Sequence, residues 1–238
     1  MNSLSKKTTC LTAFSIAMGF LETAVVIYLR KIYYPSGFSF PLTPIDPAIA
    51  VIEVFREAAT IIMLAAIGIL TGNNRKERFA FFIYSFAIWD IFYYVFLKVF
   101  LDWPASFFTW DILFLIPVPW VGPVLAPCIV SLTMVLLAYC LLHFQKEDGS
   151  LNAKFKFKEA LAFVIGCTLI LTSFLWDYLI HIAHSSKNIV PVDRQEFLLN
   201  DMQSYVPQTY NWWLFWLGEA LIIYGIICYT KSQKTNSN

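Results

Sequence analysis

Charge is what this sequence has least of. Asp, Glu, Lys and Arg supply 14% of its 238 residues, against about one quarter in a soluble domain. That deficit excludes an ordinary water-soluble globule. The basic and acidic counts nearly cancel, 17 against 16, so there is no concentrated cationic face for a phosphate backbone, and nucleic acid is excluded as a partner. Paired cysteines are missing too. Cys10, Cys128, Cys140, Cys167 and Cys228 are scattered in or beside apolar runs with no C-x-x-C spacing. They form neither a zinc finger nor a disulfide framework, and read as apolar helix fillers. No G-x-G-x-x-G, Walker loop, H-E-x-x-H or G-x-S-x-G occurs, which removes the usual nucleotide, zincin and hydrolase signatures. Histidine is rare, and His143 stands at the inner end of an apolar run, far from His181 and His184. A haem held between two deep histidines is therefore unsupported.

What is present is apolar length. Hydrophobic residues make up 58% of the chain, mean hydropathy is +0.63, and several runs reach the roughly 20 residues that a spanning helix needs. The expected fold is all-α: a polytopic transmembrane helix bundle of about six spans forming a single membrane domain over 1–238, with the lipid bilayer as its main partner. The spans are expected at about 8–29, 47–71, 79–101, 121–143, 159–184 and 211–230. Arg30 and Lys31 close the first and can snorkel to the interface. Asp46-Pro47 supplies an N-cap and a favoured first residue for the second, and Gly72-Asn73-Asn74 stops it. Asp102-Trp103-Pro104 ends the third. Lys6 and Lys7 before an apolar run imitate a secretory signal, but Glu22 interrupts the run and no A-x-A-like site follows, so the segment reads as an uncleaved anchor.

The stretch 106–120 is apolar but short, holds Asp111, and is closed by Pro117 and Pro119. It is expected to be a short interfacial or re-entrant helix between spans three and four, and either a lid over a pocket or a rigid turn. Aromatics reach 18%, and Tyr33, Tyr34, Trp103, Trp120, Trp212 and Trp213 fall at expected interfaces, as a membrane belt requires. Trp-Asp recurs at Trp89, Trp110 and Trp176 without the period of a propeller.

Basic residues orient the bundle. Lys6, Lys7, Arg75, Lys76, Arg78, Lys146, Lys154, Lys156, Lys158, Lys231 and Lys234 gather on one side of six crossings, leaving Arg30, Lys31, Lys98, Lys187 and Arg194 on the other. Both termini are therefore expected in the cytoplasm, with the protein in the cell (plasma or inner) membrane. Making 106–120 a full crossing would invert everything after it.

Ionisable groups inside spans are costly and commonly mark function. Counted at about 1.5 Å per residue, Glu22, Glu53, Arg56, Glu57, Asp90, Asp177 and Glu219 fall in one layer of the outer half, roughly 9–16 Å below the helix ends. The expectation is a shared outward-facing pocket. Glu57, Asp90 and Glu219 are its candidate catalytic acids or bases, and Glu22, Glu53 and Arg56 line it. Asp177, His181 and His184 share one helical face, and carboxylate with imidazole suits zinc, iron or manganese, so a divalent metal is the candidate cofactor there. The blander alternatives are a register-fixing ion pair at Arg56, an Asp90 bonded to Tyr93, Tyr94 or a neighbouring helix, and interfacial histidines facing water. The first functional reading is a metal-dependent membrane enzyme or binding protein for a lipidic or small amphiphilic substrate. The alternatives are an ion- or proton-coupled transporter, against which the lack of an inverted repeat counts, and a non-catalytic subunit or assembly factor whose buried charges meet a membrane-protein partner.

Overall fold

A computed structural model describes residues 3–116, 118–143, 156–185 and 204–235. Its helices are α1 (Ser3–Tyr33), α2 (Pro47–Thr71), α3 (Arg75–Leu101), α4 (Leu125–His143), α5 (Phe157–Ser185) and α6 (Trp212–Thr235). All six are long and apolar enough to cross a membrane. Pro117, Lys146, Lys154, Lys187 and Arg194 lie outside the described residues.

Local chemistry sets the helix ends. At α2, the Asp46 carboxylate accepts from the Ala48 N–H at 2.8 Å and Pro47 takes the first turn, where its missing donor costs nothing. At α3, Asn74 accepts from the Glu77 N–H at 3.0 Å while Glu77 reaches back to the Asn73 N–H at 2.7 Å, a reciprocal cap for two otherwise orphaned donors. The α2–α3 turn is tight because Gly72 lacks a side chain: a Cβ there would stand 2.4 Å from the Arg78 backbone nitrogen. At α5, Glu159 accepts from the Lys156 N–H at 2.9 Å.

The stretch 106–120 is not a helix. It holds the antiparallel strands β1 (Trp110–Phe114) and β2 (Trp120–Pro123), with Trp110 opposite Pro123, Asp111 opposite Gly122 and Ile112 opposite Val121, and an irregularity between Ile112 and Phe114. Pro119 cannot continue a helix, and Trp, Ile, Phe and Val favour extended backbone. β2 also takes the residues expected to open span four, so α4 begins at Leu125. The hairpin is re-entrant. Phe114 packs on Phe86 and Trp89, with ring centroids 6.2 and 6.3 Å apart, and those residues lie roughly 18 Å or more below the end of α3. Non-helical backbone at such depth survives only where protein covers it, and Val121, Gly122 and Pro123 are indeed buried.

α3 is the axis of the molecule, packing against α1, α2 and α4. On its α1–α2 side, Trp89 meets Met18 and Leu64, and on its α4 side Ala80 and Ile83 meet Ala138 and Leu141. α5 and α6 form a close pair, joined to the rest by α4–α6 and α5–β2 contacts. Gly166 and Gly218 set that crossing, since a Cβ on either would stand under 3 Å from the carbonyl oxygen of the other. Facing outward are exposed Phe55, Ile62, Leu70, Val99, Val164 and Trp213, the apolar surface expected of helices in lipid.

Candidate functional site

α1, α2, α3 and β1 enclose a polar cavity of about 60 Å³. Glu22 comes from α1, Arg56, Glu57 and Thr60 from α2, and Asp90 from α3. The helices carry these groups inward at matching depth because each lies about ten residues from the hairpin end of its own helix.

Arg56 is the hub. Its Nη1 donates to Glu22 Oε1 across the α1–α2 interface, while its Nη2 and Nε reach Glu53 Oε2 at 2.7 and 2.8 Å. Thr60 Oγ1 adds a 3.3 Å bond to the second Glu22 oxygen. Glu57 does not pair with Arg56. Its Oε2 accepts from the Leu115 backbone N–H at 2.8 Å, so a cavity carboxylate satisfies a donor at the end of β1. Asp90 accepts from Ser131 Oγ of α4 at 2.7 Å, a bond to a neighbouring helix rather than to Tyr93 or Tyr94.

Glu22, Arg56, Glu57 and Asp90 thus meet around the cavity, with Glu53 held beside them through Arg56. Glu219 does not line it. It sits between α4 and α6, where Oε2 accepts from Thr133 Oγ1 at 2.8 Å and buried Oε1 has no hydrogen-bond partner among the described residues.

Asp177, His181 and His184 lie apart from the cavity, and Asp177 is already engaged. Its Oδ2 accepts from the Tyr205 hydroxyl at 2.7 Å and the Gln208 N–H at 3.1 Å, and its Oδ1 from the Thr209 N–H at 3.2 Å. The carboxylate therefore ties the segment leading into α6 onto α5. Burial first, and then donation to Asp177, hold the Tyr205 phenol well above its ordinary range, so it stays a donor. His181 packs against the Tyr178 and Tyr205 rings, and His184 is exposed. Among the described residues, no group of three or more His, Cys, Asp or Glu is arranged to hold a metal ion.

One charged pair is absent from the sequence reading. Arg30 and Asp111 are 7% and 2% exposed, and Arg30 Nη2 meets Asp111 Oδ1 at 3.1 Å. Tyr94 donates to Asp111 Oδ2 at 3.2 Å. The guanidinium lies 3.8 Å from the Trp103 ring centroid and 4.5 Å from that of Phe38. Arg30 is therefore a buried anchor for the base of the hairpin instead of a snorkelling residue. The available signal was the acid itself: Asp111 in an apolar stretch demands a cation, and Arg30 at the same end of the bundle is the one that reaches it.

These features define a polytopic membrane protein with an acidic cavity capped by a re-entrant β-hairpin. Compared with protein-family models, curated proteins and solved structures, the chain matches none.

Proposed function

We propose that this protein is an ion- or proton-coupled membrane carrier in which the carboxylates around the cavity take up and release the coupling ion. The observation that carries the reading is the imbalance of charge at the cavity. Glu22, Glu57 and Asp90 line one cavity with a single guanidinium, Arg56, which also holds Glu53 beside it. Fully ionised, that set would hold a net charge of −3, from four acids and one base, in surroundings where unbalanced charge is costly. Protons or a small cation must supply the balance, and a group that exchanges them within a membrane is the working part of a coupled carrier.

Two further features support the reading. A cavity of about 60 Å³ has room for a few waters, which suits protons, water or one ion; amphiphilic substrates need about 300–1,000 Å³. The hairpin is also an interruption of the helical bundle beside the ion-binding acids, as discontinuous segments are in many secondary transporters. The basic-residue bias supports a cavity that opens toward the non-cytoplasmic face, with both termini cytoplasmic.

The test is reconstitution of the full chain in vesicles loaded with a pH-sensitive dye. An imposed proton gradient is expected to dissipate faster than in empty vesicles, and Glu57→Gln and Asp90→Asn are each expected to slow it about tenfold or more, the scale on which loss of a proton-transfer group acts. Infrared spectra across a pH titration should show a protonated carboxyl band that weakens in the same variants. Wild-type vesicles no leakier than empty ones under a proton gradient or, read with a sodium-sensitive dye, under a sodium gradient, with no such band, would overturn the proposal.

A further inference from the structure

At the hairpin end of α1 and α3 a second and larger cavity opens, about 450 Å³ in volume, lined by Arg30, Lys31, Tyr34, Phe38 and Trp103 among others. It shares no lining residue with the acidic cavity. We infer that this groove is a binding site for a singly charged phosphodiester, with the phosphate beside Lys31 and Arg30 and an apolar tail along the outer faces of α1 and α3.

Charge selects the ligand class. Arg30 is balanced by Asp111 through Nη2, while its buried Nη1 has no hydrogen-bond partner among the described residues. Lys31 is exposed and enters no ion pair among the described residues. The groove therefore carries one uncompensated positive charge, which matches a phosphodiester monoanion. Trp103 and Phe38 flank the guanidinium and hold it in place, so that no arginine has to be ordered when the anion arrives.

The surroundings select an amphiphile. Tyr28 and Ile32 of α1 and Val99 and Phe100 of α3 are exposed near the same helix ends, where they would meet acyl chains. Basic and aromatic residues at a helix end sit at headgroup level, and the volume falls in the range of ligand pockets. The same phosphate chemistry belongs to free inorganic phosphate, so the experiment separates the two sources.

Thermal unfolding of the detergent-purified full chain would be followed with dioleoyl phosphatidylglycerol, dioleoyl phosphatidylcholine or inorganic phosphate added. Phosphatidylglycerol in several-fold excess over its dissociation constant is expected to raise Tm by roughly 2–4 °C, with phosphatidylcholine giving little. Lys31→Glu and Phe38→Ala should each remove most of that shift. Lys98→Glu should keep it, because Lys98 is exposed, engages Asp102 and does not line the groove. A shift with inorganic phosphate that Lys31→Glu abolishes, with none from phosphatidylglycerol, overturns the phosphodiester and makes the groove a free-phosphate site. Equal shifts from both lipids, no shift from any addition, or a phosphatidylglycerol shift that survives Lys31→Glu overturns it.

Discussion

Arg30 meets two aromatic rings and one carboxylate, and each contact constrains what its replacement would do. Taking away the guanidinium leaves Asp111 buried and unbalanced, whereas taking away both charges leaves two apolar side chains in an apolar place. Arg30→Met is therefore expected to destabilise by about 3–5 kcal/mol, Asp111→Leu by a similar amount, and the double variant by much less than the sum. Thermal or denaturant unfolding in detergent reads all three. Removing the Tyr205 hydroxyl acts on a smaller scale. Tyr205→Phe should cost about 1–3 kcal/mol, because Asp177 loses one charge-assisted bond but keeps two backbone donors. A Tyr205→Phe variant as unstable as Asp177→Ala would contradict that division of labour.

Among the elements, the hairpin depends most on its neighbours. Two strands alone are marginal in water and worse in lipid, where each unpaired backbone donor costs several kcal/mol. Glu57 therefore has a structural duty beside its place in the cavity, since it accepts the Leu115 N–H. Glu57→Ala should speed hydrogen exchange at Leu115 by about tenfold or more, equivalent to at least about 1.4 kcal/mol of lost protection. Glu57→Gln keeps an acceptor oxygen and should leave exchange near the parent level while slowing the proposed proton flux about tenfold or more. If both variants loosened the hairpin equally, the loss of flux would say nothing about protons. The α5–α6 pair depends on absence of side chain: Gly218→Leu should force the helices apart and cost at least about 1–3 kcal/mol, read by unfolding.

For the whole molecule, the six helices long and apolar enough to cross a membrane among the described residues would, if each crosses once, put both ends of the chain on one face of the bilayer. In a background with the five native cysteines replaced, a cysteine at Ser5 and one at Lys231 should react with a membrane-impermeant thiol reagent from the same side, and one at Phe108 in the loop before β1 from the opposite side. An odd number of crossings would separate the labels at the two ends. The result also fixes which face the acidic cavity opens toward, and so the direction of the proton gradient to impose.

The sequence by itself determined that the chain would be a helical bundle in lipid. Uncharged runs of about 20 residues have no other stable solution in that solvent, and Asp46-Pro47, Gly72 and Asn74 mark helix ends through contacts within a few residues. It also marked the buried acids, because an ionised group in an apolar run needs an internal partner wherever the chain folds. Which partner each takes was decided by tertiary structure. Arg56 chooses Glu22 and Glu53 over Glu57, Asp90 chooses Ser131, Asp177 chooses the segment before α6, and Asp111 chooses Arg30 from 81 residues away. Those choices depend on how each helix is rotated against its neighbours, a long-range property that spacing along one helix does not encode. The stretch 106–120 shows the same limit in the backbone: its apolar residues fit a short helix or a strand equally well, and only packing against α3 with the Glu57 and Arg30 contacts made the hairpin the better-satisfied form.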